Sequence, residues 1–382
     1  MQQYLFSWLI PFLWIVISSY AIFTILLTFL WKRIPSYRNA SFKSSTIISV
    51  IIPVRNEEQN IRSLLSDLNN QTFPSGNFEV LVMDDSSTDQ TTHIVQECIS
   101  NFNIPIRLIR LPDSPTTSPK KRAIETAIAE AKGNLIVTTD GDCRVDKGWL
   151  RAIADCYDNT NAKLISGPVT FTNDTSITDH LQTVEFASLI GSGASAISAG
   201  YPSLCNGANL AYEKDAFHEV NGFDGVRHIA SGDDEFLMHK IAYRYPSGIR
   251  FLKDPAAIVR TRPHQKWSLF FRQRKRWASK WKHYQSRTPL ALALYIFLCN
   301  FSLILSSICY VSGNIPFHDL LTIWMIKCIP EWLFLGLVLK FLDKTASILY
   351  IPLTQIIYPF YVCFFGLAAQ KPEYEWKGRK LV

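Results

Sequence analysis

The chain has 382 residues, 39 Lys+Arg against 32 Asp+Glu, a formal charge of +7 and 48% apolar residues. With a mean hydropathy just above zero, this excludes an ordinary soluble enzyme, and the lack of low-complexity sequence excludes a disordered chain. Eight cysteines with no CxxC pair and no metal-ligand spacing to His read as buried thiols in a reducing compartment rather than a disulfide framework.

Residues 4–31 contain no charged side chain, and about 20 apolar residues suffice to cross a bilayer. No Lys or Arg precedes the stretch, whereas Lys32, Arg33 and Arg38 follow it. That asymmetry predicts a span with its N-terminus outside and residue 32 onward in the cytoplasm, not a cleaved signal.

Residues 47–54 form a short β-branched run, as expected of a strand buried on both faces of a parallel sheet. A helix is predicted over 57–70, with Ile61, Leu64, Leu65 and Leu68 on one side. A second strand follows at 78–84, then a helix at 90–101 that Asp89 can cap. A third strand is expected at 104–111 and a helix at 120–132, stopped by Gly133 as its C′ residue. A fourth strand falls at 134–139. The β-α-β-α-β-α-β order implies an α/β, doubly wound, mostly parallel sheet, and ligands of such sheets lie beyond the strand carboxyl ends.

The strand ends carry Arg55, Asn56 and Glu57, then Asp84 and Asp85, then Asp140, Gly141 and Asp142. Three acidic ends on one edge repel one another unless something positive sits there. A divalent cation holding a phosphate is the economical explanation. Asp140 and Asp142, separated by one glycine, can turn onto one hard cation, Mg²⁺ or Mn²⁺.

Residues 260–288 hold ten Lys/Arg and no acid. Trp267, Phe270, Phe271, Arg274, Trp277 and Trp281 follow helical spacing, which predicts a basic amphipathic segment at a membrane interface. Arg274 and Lys275 are expected to face solvent or lipid headgroups. Nucleic acid is an unsuitable partner for this run because an apolar stretch starts at residue 289. Apolar stretches at about 289–311, 317–341 and 347–368 complete the chain. The first and last read as plain spans. The middle one carries Lys327, Pro330 and Glu331, and Lys327 and Glu331 are spaced to pair on one helix face. Three spans starting from the cytoplasm would leave the tail outside. That tail holds Lys371, Lys377, Arg379 and Lys380, which favour the cytoplasm. A re-entrant or interfacial 317–341 is one way to reconcile the two.

The segments Ser49 to Glu58, Val82 to Asp89, Thr139 to Asp142 and Gln273 to Trp277 occur in that order. Together they resemble the membrane-bound family 2 glycosyltransferases of GT-A fold. The resemblance covers roughly residues 46–288 and implies an inverting transfer from a nucleotide-activated sugar, usually a UDP-sugar. By that resemblance Pro53, Arg55 and Glu57 line the nucleoside pocket, and Asp84 and Asp85 match the uracil-binding acids. Ser86 stands where the family commonly has Gly, and Pro119 precedes Lys120 where Gly is usual. Lys120 matches a nucleotide-holding lysine. Asp140 matches a position near the ribose and the metal, and Asp142 a direct metal ligand. Residues 205–212 match a segment near the donor sugar. Asp234 matches the catalytic base, which takes the acceptor hydroxyl proton. Asp233 reads as an acid favoured by a helix N-terminus. Gln273, Arg276 and Trp277 match the QxxRW motif beside the acceptor, with Arg276 able to contact diphosphate. His264 is a further candidate for metal or phosphate.

The expected organisation is an N-terminal transmembrane helix (1–31), a cytoplasmic GT-A domain (32–259), an interfacial segment (260–288), a C-terminal membrane region (289–370) and a basic tail (371–382). The expected protein is an integral membrane enzyme of the cell envelope, with its catalytic domain on the cytoplasmic face of a bacterial inner membrane. The expected acceptor is a lipid or glycan. A lipid is preferred because three C-terminal segments are few for a polymer-conducting pore. A processive polysaccharide synthase and a catalytically silent nucleotide-sugar-binding membrane protein are the alternatives.

Overall fold

The computed structural model describes residues 2–37, 44–113, 116–172, 174–278, 288–368, 374–376 and 379–381. In chain order the elements are α1 (Gln2–Arg33), β1 (Ile48–Val54), α2 (Ile61–Asn69), β2 (Phe78–Asp84), α3 (Thr91–Asn101), β3 (Ile106–Arg110), α4 (Pro119–Glu130) and β4 (Leu135–Thr138). Then come α5 (Trp149–Thr160), β5 (Leu164–Ser166), β6 (Val169–Phe171), α6 (Ile177–Ser198), β7 (Leu210–Glu213), α7 (Lys214–Glu219), α8 (Glu235–Arg244), β8 (Ile249–Phe251) and β9 (Val259–Thr261). The chain continues through α9 (Trp267–Ala278), α10 (Thr288–Val311), α11 (Phe317–Phe341), a 3₁₀ turn (Thr345–Tyr350) and α12 (Ile351–Ala368), and closes with β10 (Tyr374–Trp376) and β11 (Arg379–Leu381). It divides into two compact units. One holds residues 33–173, 192–263 and 373–382; the other holds 1–32, 174–191 and 264–372. Residues 174–191, expected within the catalytic domain, thus group with the long helices.

The α/β unit is built on a seven-stranded sheet of order β3-β2-β1-β4-β7-β5-β8. β3, β2, β1 and β4 are parallel, and β7 runs antiparallel to both β4 and β5. The order reverses between β1 and β4, which is the switch point of a doubly wound sheet. Ile48, Val50, Ile51, Ile52, Val80, Leu81 and Val82 are fully buried, each contributing about 1.5–3 kcal/mol by leaving water. These strands read as continuous apolar runs because helices cover both faces.

Two expectations are corrected here. The predicted 57–70 helix starts only at Ile61, because residues 58–60 first form a turn closed by Asn60 N–H to Glu57 O at 2.9 Å. Gly133 is not a left-handed helix stop: α4 ends with Ala131 in extended conformation. Gly133 is required instead for close approach, since a Cβ there would lie 2.5 Å from the Ser49 backbone nitrogen. Its own N–H donates to Ser49 Oγ at 2.8 Å.

In the helical unit, Val16 and Tyr20 of α1 pack on Cys299 of α10, and Ile17 packs on Leu303 and Ile323. Phe23 meets Tyr295, and Trp31 meets Phe341. Rising numbers on α1 therefore meet falling numbers on α10 and rising numbers on α11, so α10 is antiparallel and α11 parallel to α1. Residues 317–341 form one continuous 25-residue helix. Lys327 Nζ lies 2.8 Å from Glu331 Oε2. The same carboxylate accepts from Tyr20 Oη at 2.5 Å and from Gln355 Nε2 at 3.2 Å. An ion pair shielded from water needs such extra donors to offset desolvation. Among the described residues, four helices are long and apolar enough to cross a membrane. All eight cysteines are free thiols; Cys205, Cys328 and Cys363 are only half-buried.

Candidate active site

The sheet register brings the predicted residues to one edge. Val54 pairs with Asp84, and Ile51 with Thr138. The ladder runs on through Asp85 N–H to Val54 O (3.0 Å) and Thr139 N–H to Ile51 O (3.2 Å). Pro53 is half-buried in β1. The loops after β1 and β2 are tied together. Asn56 N–H donates to Ser87 Oγ at 3.0 Å, Thr88 N–H to Asn56 Oδ1 at 2.8 Å, and Glu57 N–H to Thr91 Oγ1 at 2.8 Å. Asp89 accepts from Thr91 N–H at 3.0 Å and thus holds the start of α3. Ser86 sits at φ 58°, a left-handed conformation that costs a non-glycine residue about 1 kcal/mol.

The two adjacent acids differ in what they do. Asp84 accepts from Ser87 N–H at 3.2 Å and closes the turn. Asp85 is buried, with Arg122 Nη2 at 2.7 Å from Oδ1 and Arg55 Nη1 at 3.9 Å from Oδ2. Arg55 also donates to the carbonyls of Asp85 and Ser86. Arg122 and Arg55 thus supply positive charge beside this strand end.

At the end of β4, Lys120 Nζ lies 2.7 Å from Asp140 Oδ1 and 3.2 Å from Asp233 Oδ2. A Cβ on Gly207 would lie 3.1 Å from Asp233 Oδ2, 3.2 Å from Lys120 Nζ and 3.5 Å from Asp234 Cβ. Burial lowers the Lys120 pKa, but the Asp140 and Asp233 carboxylates outweigh it and hold the ammonium above its ordinary value. Asp234 accepts from Gly207 N–H at 3.0 Å and from Glu235 N–H at 2.8 Å, so it caps α8. Asp233, expected at the helix N-terminus, is instead drawn to Lys120, and it is Asp234 whose carboxylate bonds the first helical N–H.

Asp142 accepts from Thr261 Oγ1 at 3.3 Å. Residues 144 and 260 exchange two backbone hydrogen bonds, Arg144 N–H to Arg260 O at 2.7 Å and the return at 2.9 Å, which holds β9 beside the acidic turn. Gly141 is packed so closely that a Cβ would stand 3.0 Å from both Glu57 Cγ and Val54 Cγ1. Among the described residues no three His, Cys, Asp or Glu side chains form a ready-made metal cage. The donor set nevertheless fits a hard cation. Asp140 and Asp142 offer carboxylate oxygens, and Mg²⁺ or Mn²⁺ ordinarily takes one or two carboxylates and fills its shell with phosphate and water. The neighbouring Cys143 thiol is pushed well up by burial and by Asp142 and Asp140, so it offers no competing soft ligand.

Within 205–212, Asn209 serves the scaffold. Its amide donates to the carbonyls of Pro168 and Ala257, both at 2.8 Å, and accepts from Trp149 Nε1 at 3.0 Å. Sequence reasoning missed Arg122 and Lys121. Lys121 is buried and donates to the carbonyls of Val226 (2.8 Å), Ile229 (2.6 Å) and Ser231 (3.1 Å). Ser118 Oγ also donates to Ile229 O at 2.6 Å. These bonds hold a loop whose Gly222, Gly225 and Gly232 have positive φ and which leads into Asp233. A signal was present. Lys120, Lys121 and Arg122 crowd the first turn of α4 with no acid there, an arrangement the helix dipole disfavours unless acids elsewhere answer it.

Gln273, Arg276 and Trp277 lie on α9, in the helical unit. Arg274, expected to face solvent or headgroups, is buried. Its Nε donates to Glu185 Oε1 at 2.8 Å, its Nη2 pairs with Glu185 Oε2, and Tyr361 Oη donates to the same carboxylate at 3.0 Å. Its guanidinium stacks 4.3 Å from the Trp277 ring and 4.6 Å from Phe270, while Nη1 donates to Gln273 Oε1 at 2.6 Å. His264 is held through its backbone by the Gln182 amide, and burial pushes its pKa down. Trp281 lies outside the described residues.

A mostly parallel switch-point sheet with acids and cations at one carboxyl edge is the framework of a GT-A nucleotide-sugar enzyme. The sequence matches Glycosyl transferase family 2 over residues 49–220 and Glycosyl transferase family group 2 over residues 135–365; the chain belongs to the family 2 glycosyltransferases. Glycosyltransferase AglE of Haloferax volcanii is 34% identical over 125 residues, 33% of this chain and 40% of that protein. Probable glycosyltransferase YdaM of Bacillus subtilis is 26% identical over 252 residues, 65% of this chain and 58% of that protein. Beta-monoglucosyldiacylglycerol synthase of Nostoc is 28% identical over 114 residues, 30% of this chain and 24% of that protein. The chain thus spans from a quarter to somewhat over half the length of these relatives. The structure of mannosyltransferase PcManGT from Pyrobaculum calidifontis, in complex with GDP-Man and Mn²⁺, has the same fold at a TM-score of 0.59, 17% identity, and coverage of 92% of this chain and 99% of that one.

Proposed function

We propose that the protein transfers one sugar from a UDP-sugar to a hydroxyl of a lipid-borne acceptor at the cytoplasmic membrane face, with inversion at the anomeric carbon. The observation that carries this reading is the convergence of Lys120, Asp140, Asp233 and Asp234 around Gly207 at the carboxyl edge of the sheet. The acceptor oxygen attacks the anomeric carbon as the bond to the diphosphate oxygen breaks. The leaving UDP takes the bonding electron pair, and Asp234 takes the hydroxyl proton. The N–H groups of Gly207 and Glu235 fix the orientation of that carboxylate. Lys120 places a permanent positive charge for the departing diphosphate. Asp140 and Asp142 would hold a Mg²⁺ or Mn²⁺ ion, which when bound offsets negative charge on the leaving group. Asp85, oriented by Arg122 and Arg55, would bind the base, with Pro53 and Glu57 lining its pocket and Asp84 shaping the turn. Gln273, Arg276 and Trp277 would serve the acceptor side.

A lipid acceptor is supported by the four apolar helices and by the diacylglycerol-based product in the Nostoc relative's name. The test is nucleotide release by the full-length protein in lipid vesicles, across several UDP- and GDP-sugars, with membrane lipid extract as acceptor. Lipid-dependent release from one UDP-sugar, one sugar added per acceptor, and loss of release in Asp142→Asn are expected. A ladder of products, or preference for a GDP-sugar, overturns the acceptor or donor assignment respectively.

A further inference from the structure

The fourth apolar helix does not follow the direction of the other three. Tyr20, Tyr295 and Glu331 mark one level of the α1–α10–α11 bundle. The Tyr20 and Tyr295 rings are 6.4 Å apart, and Tyr20 Oη donates to Glu331. Near its start α12 joins that level through Gln355, whose amide donates to Cys328 O at 2.8 Å and to Glu331. Tyr358 follows, with Lys327 Nζ 6.0 Å from its ring. Near its end α12 is still there. A Cβ on Gly366 would lie 2.9 Å from Phe297 Cδ2, and Phe297 is two residues from Tyr295. The stretch from Gln355 to Gly366 is about 16 Å of helix. A helix running along the bundle would have moved that far past the starting level. α12 returns to it, and so lies across the bundle.

Its far end meets α9. Phe365 stacks on Phe271 at 5.5 Å, Phe364 meets Phe271 at 5.9 Å, and Tyr361 meets Phe270 at 6.2 Å. One face of α12, with Ile351, Gln355 and Phe365, is buried. The other, Leu353, Ile356, Ile357, Phe360 and Phe364, is 40–60% exposed and follows the i, i+3, i+4, i+7 spacing of one helix stripe. Trp267 and Phe271 of α9 are exposed as well, on a helix that carries Arg272, Lys275 and Arg276.

We infer that α12 is an in-plane helix that rests its apolar stripe, together with α9, in the acyl region of the cytoplasmic leaflet, and is not a fourth crossing. The basic residues of α9 suit the headgroups of that leaflet. Three crossings by α1, α10 and α11 then return the chain to the cytoplasmic side, and the parity conflict of the basic tail disappears. The inference rests on the membrane reading of α1, α10 and α11 under the proposed function.

Depth measurement by spin labelling tests it. Nitroxides are placed singly at Leu353, Ile357, Phe360 and Phe364 of the full-length protein, with Cys205, Cys328 and Cys363 changed to Ser. The protein sits in phosphatidylethanolamine–phosphatidylglycerol vesicles, and oxygen and nickel-chelate accessibilities are compared. Equal immersion at all four sites, within about 5 Å, is expected; a graded change of about 16 Å from 353 to 364 overturns the inference. A reporter after Val382 gives a second reading, expected on the cytoplasmic side; the opposite side overturns it. Labels at Ile22 and Leu321 are controls. Water exposure there overturns the membrane reading itself, a failure distinct from graded depth along α12.

Discussion

Lys120 Nζ lies 2.7 Å from the Asp140 carboxylate and 3.2 Å from that of Asp233, joining the acidic turn after β4 to the acid pair before α8. One lysine at the start of α4 thus links the two halves of the proposed site. Lys120→Met should weaken nucleotide binding about tenfold and cost about 1–2 kcal/mol of stability, as a partly exposed charge-assisted contact does. The pH dependence has a definite sign. The folded-state pKa of Lys120 lies above the ordinary 10.5, so its contribution is complete below 10.5 and is lost as pH rises through the raised value. The stability difference between wild type and Lys120→Met, read by urea unfolding, should stay flat from pH 7 to 10. A difference that already shrinks by pH 9 would show that the carboxylates do not hold the proton.

Asp234→Asn puts an amide against two backbone N–H groups. Loss of one cap bond should cost about 1 kcal/mol, a few degrees in thermal unfolding. Turnover should fall at least 100-fold, the usual scale for a general base, while nucleotide affinity changes little. A collapse in nucleotide affinity with turnover preserved at saturation would reassign Asp234 to binding.

Arg122 reaches Asp85 across 37 residues of sequence. Arg122→Ala should loosen the buried carboxylate, lower stability by about 1–3 kcal/mol and weaken UDP binding in calorimetry. Arg122→Lys, keeping the charge, should recover part of the affinity. Unchanged affinity in Arg122→Ala would detach Asp85 from base recognition.

Lys121→Met replaces three bonds to loop carbonyls by an uncharged chain of similar length. Cleavage by a protease within 226–231 should speed up, and kcat should drop more than nucleotide affinity, because the loop leads into Asp233 and Asp234. Equal cleavage rates in wild type and variant would show that the loop does not depend on this lysine.

Much of the fold was readable where local pattern and tertiary structure agree. The strand expected at 78–84 is Phe78–Asp84, because a short, largely apolar run suits a strand buried on both faces of a parallel sheet. β5, β6, β8 and β9 are three residues each, too short to show any period, and they went unread. The acids at the strand ends were legible as an edge, but their partners were not. Arg122 for Asp85 and Lys120 for Asp233 are set by helix placement, not by spacing. Arg274 misled for the opposite reason. Its neighbours Arg272 and Lys275 suggest a solvated face, and only the distant Glu185 explains its burial.

Gly141 leaves a final consequence. The space beside it is already occupied by Glu57 and Val54, 3.0 Å from where any methyl would go. A change as small as Gly141→Ala would therefore push on the loop after β1 before altering either aspartate. Variation that retunes the proposed donor pocket has to come from its rim, since the hinge between Asp140 and Asp142 has little slack to give.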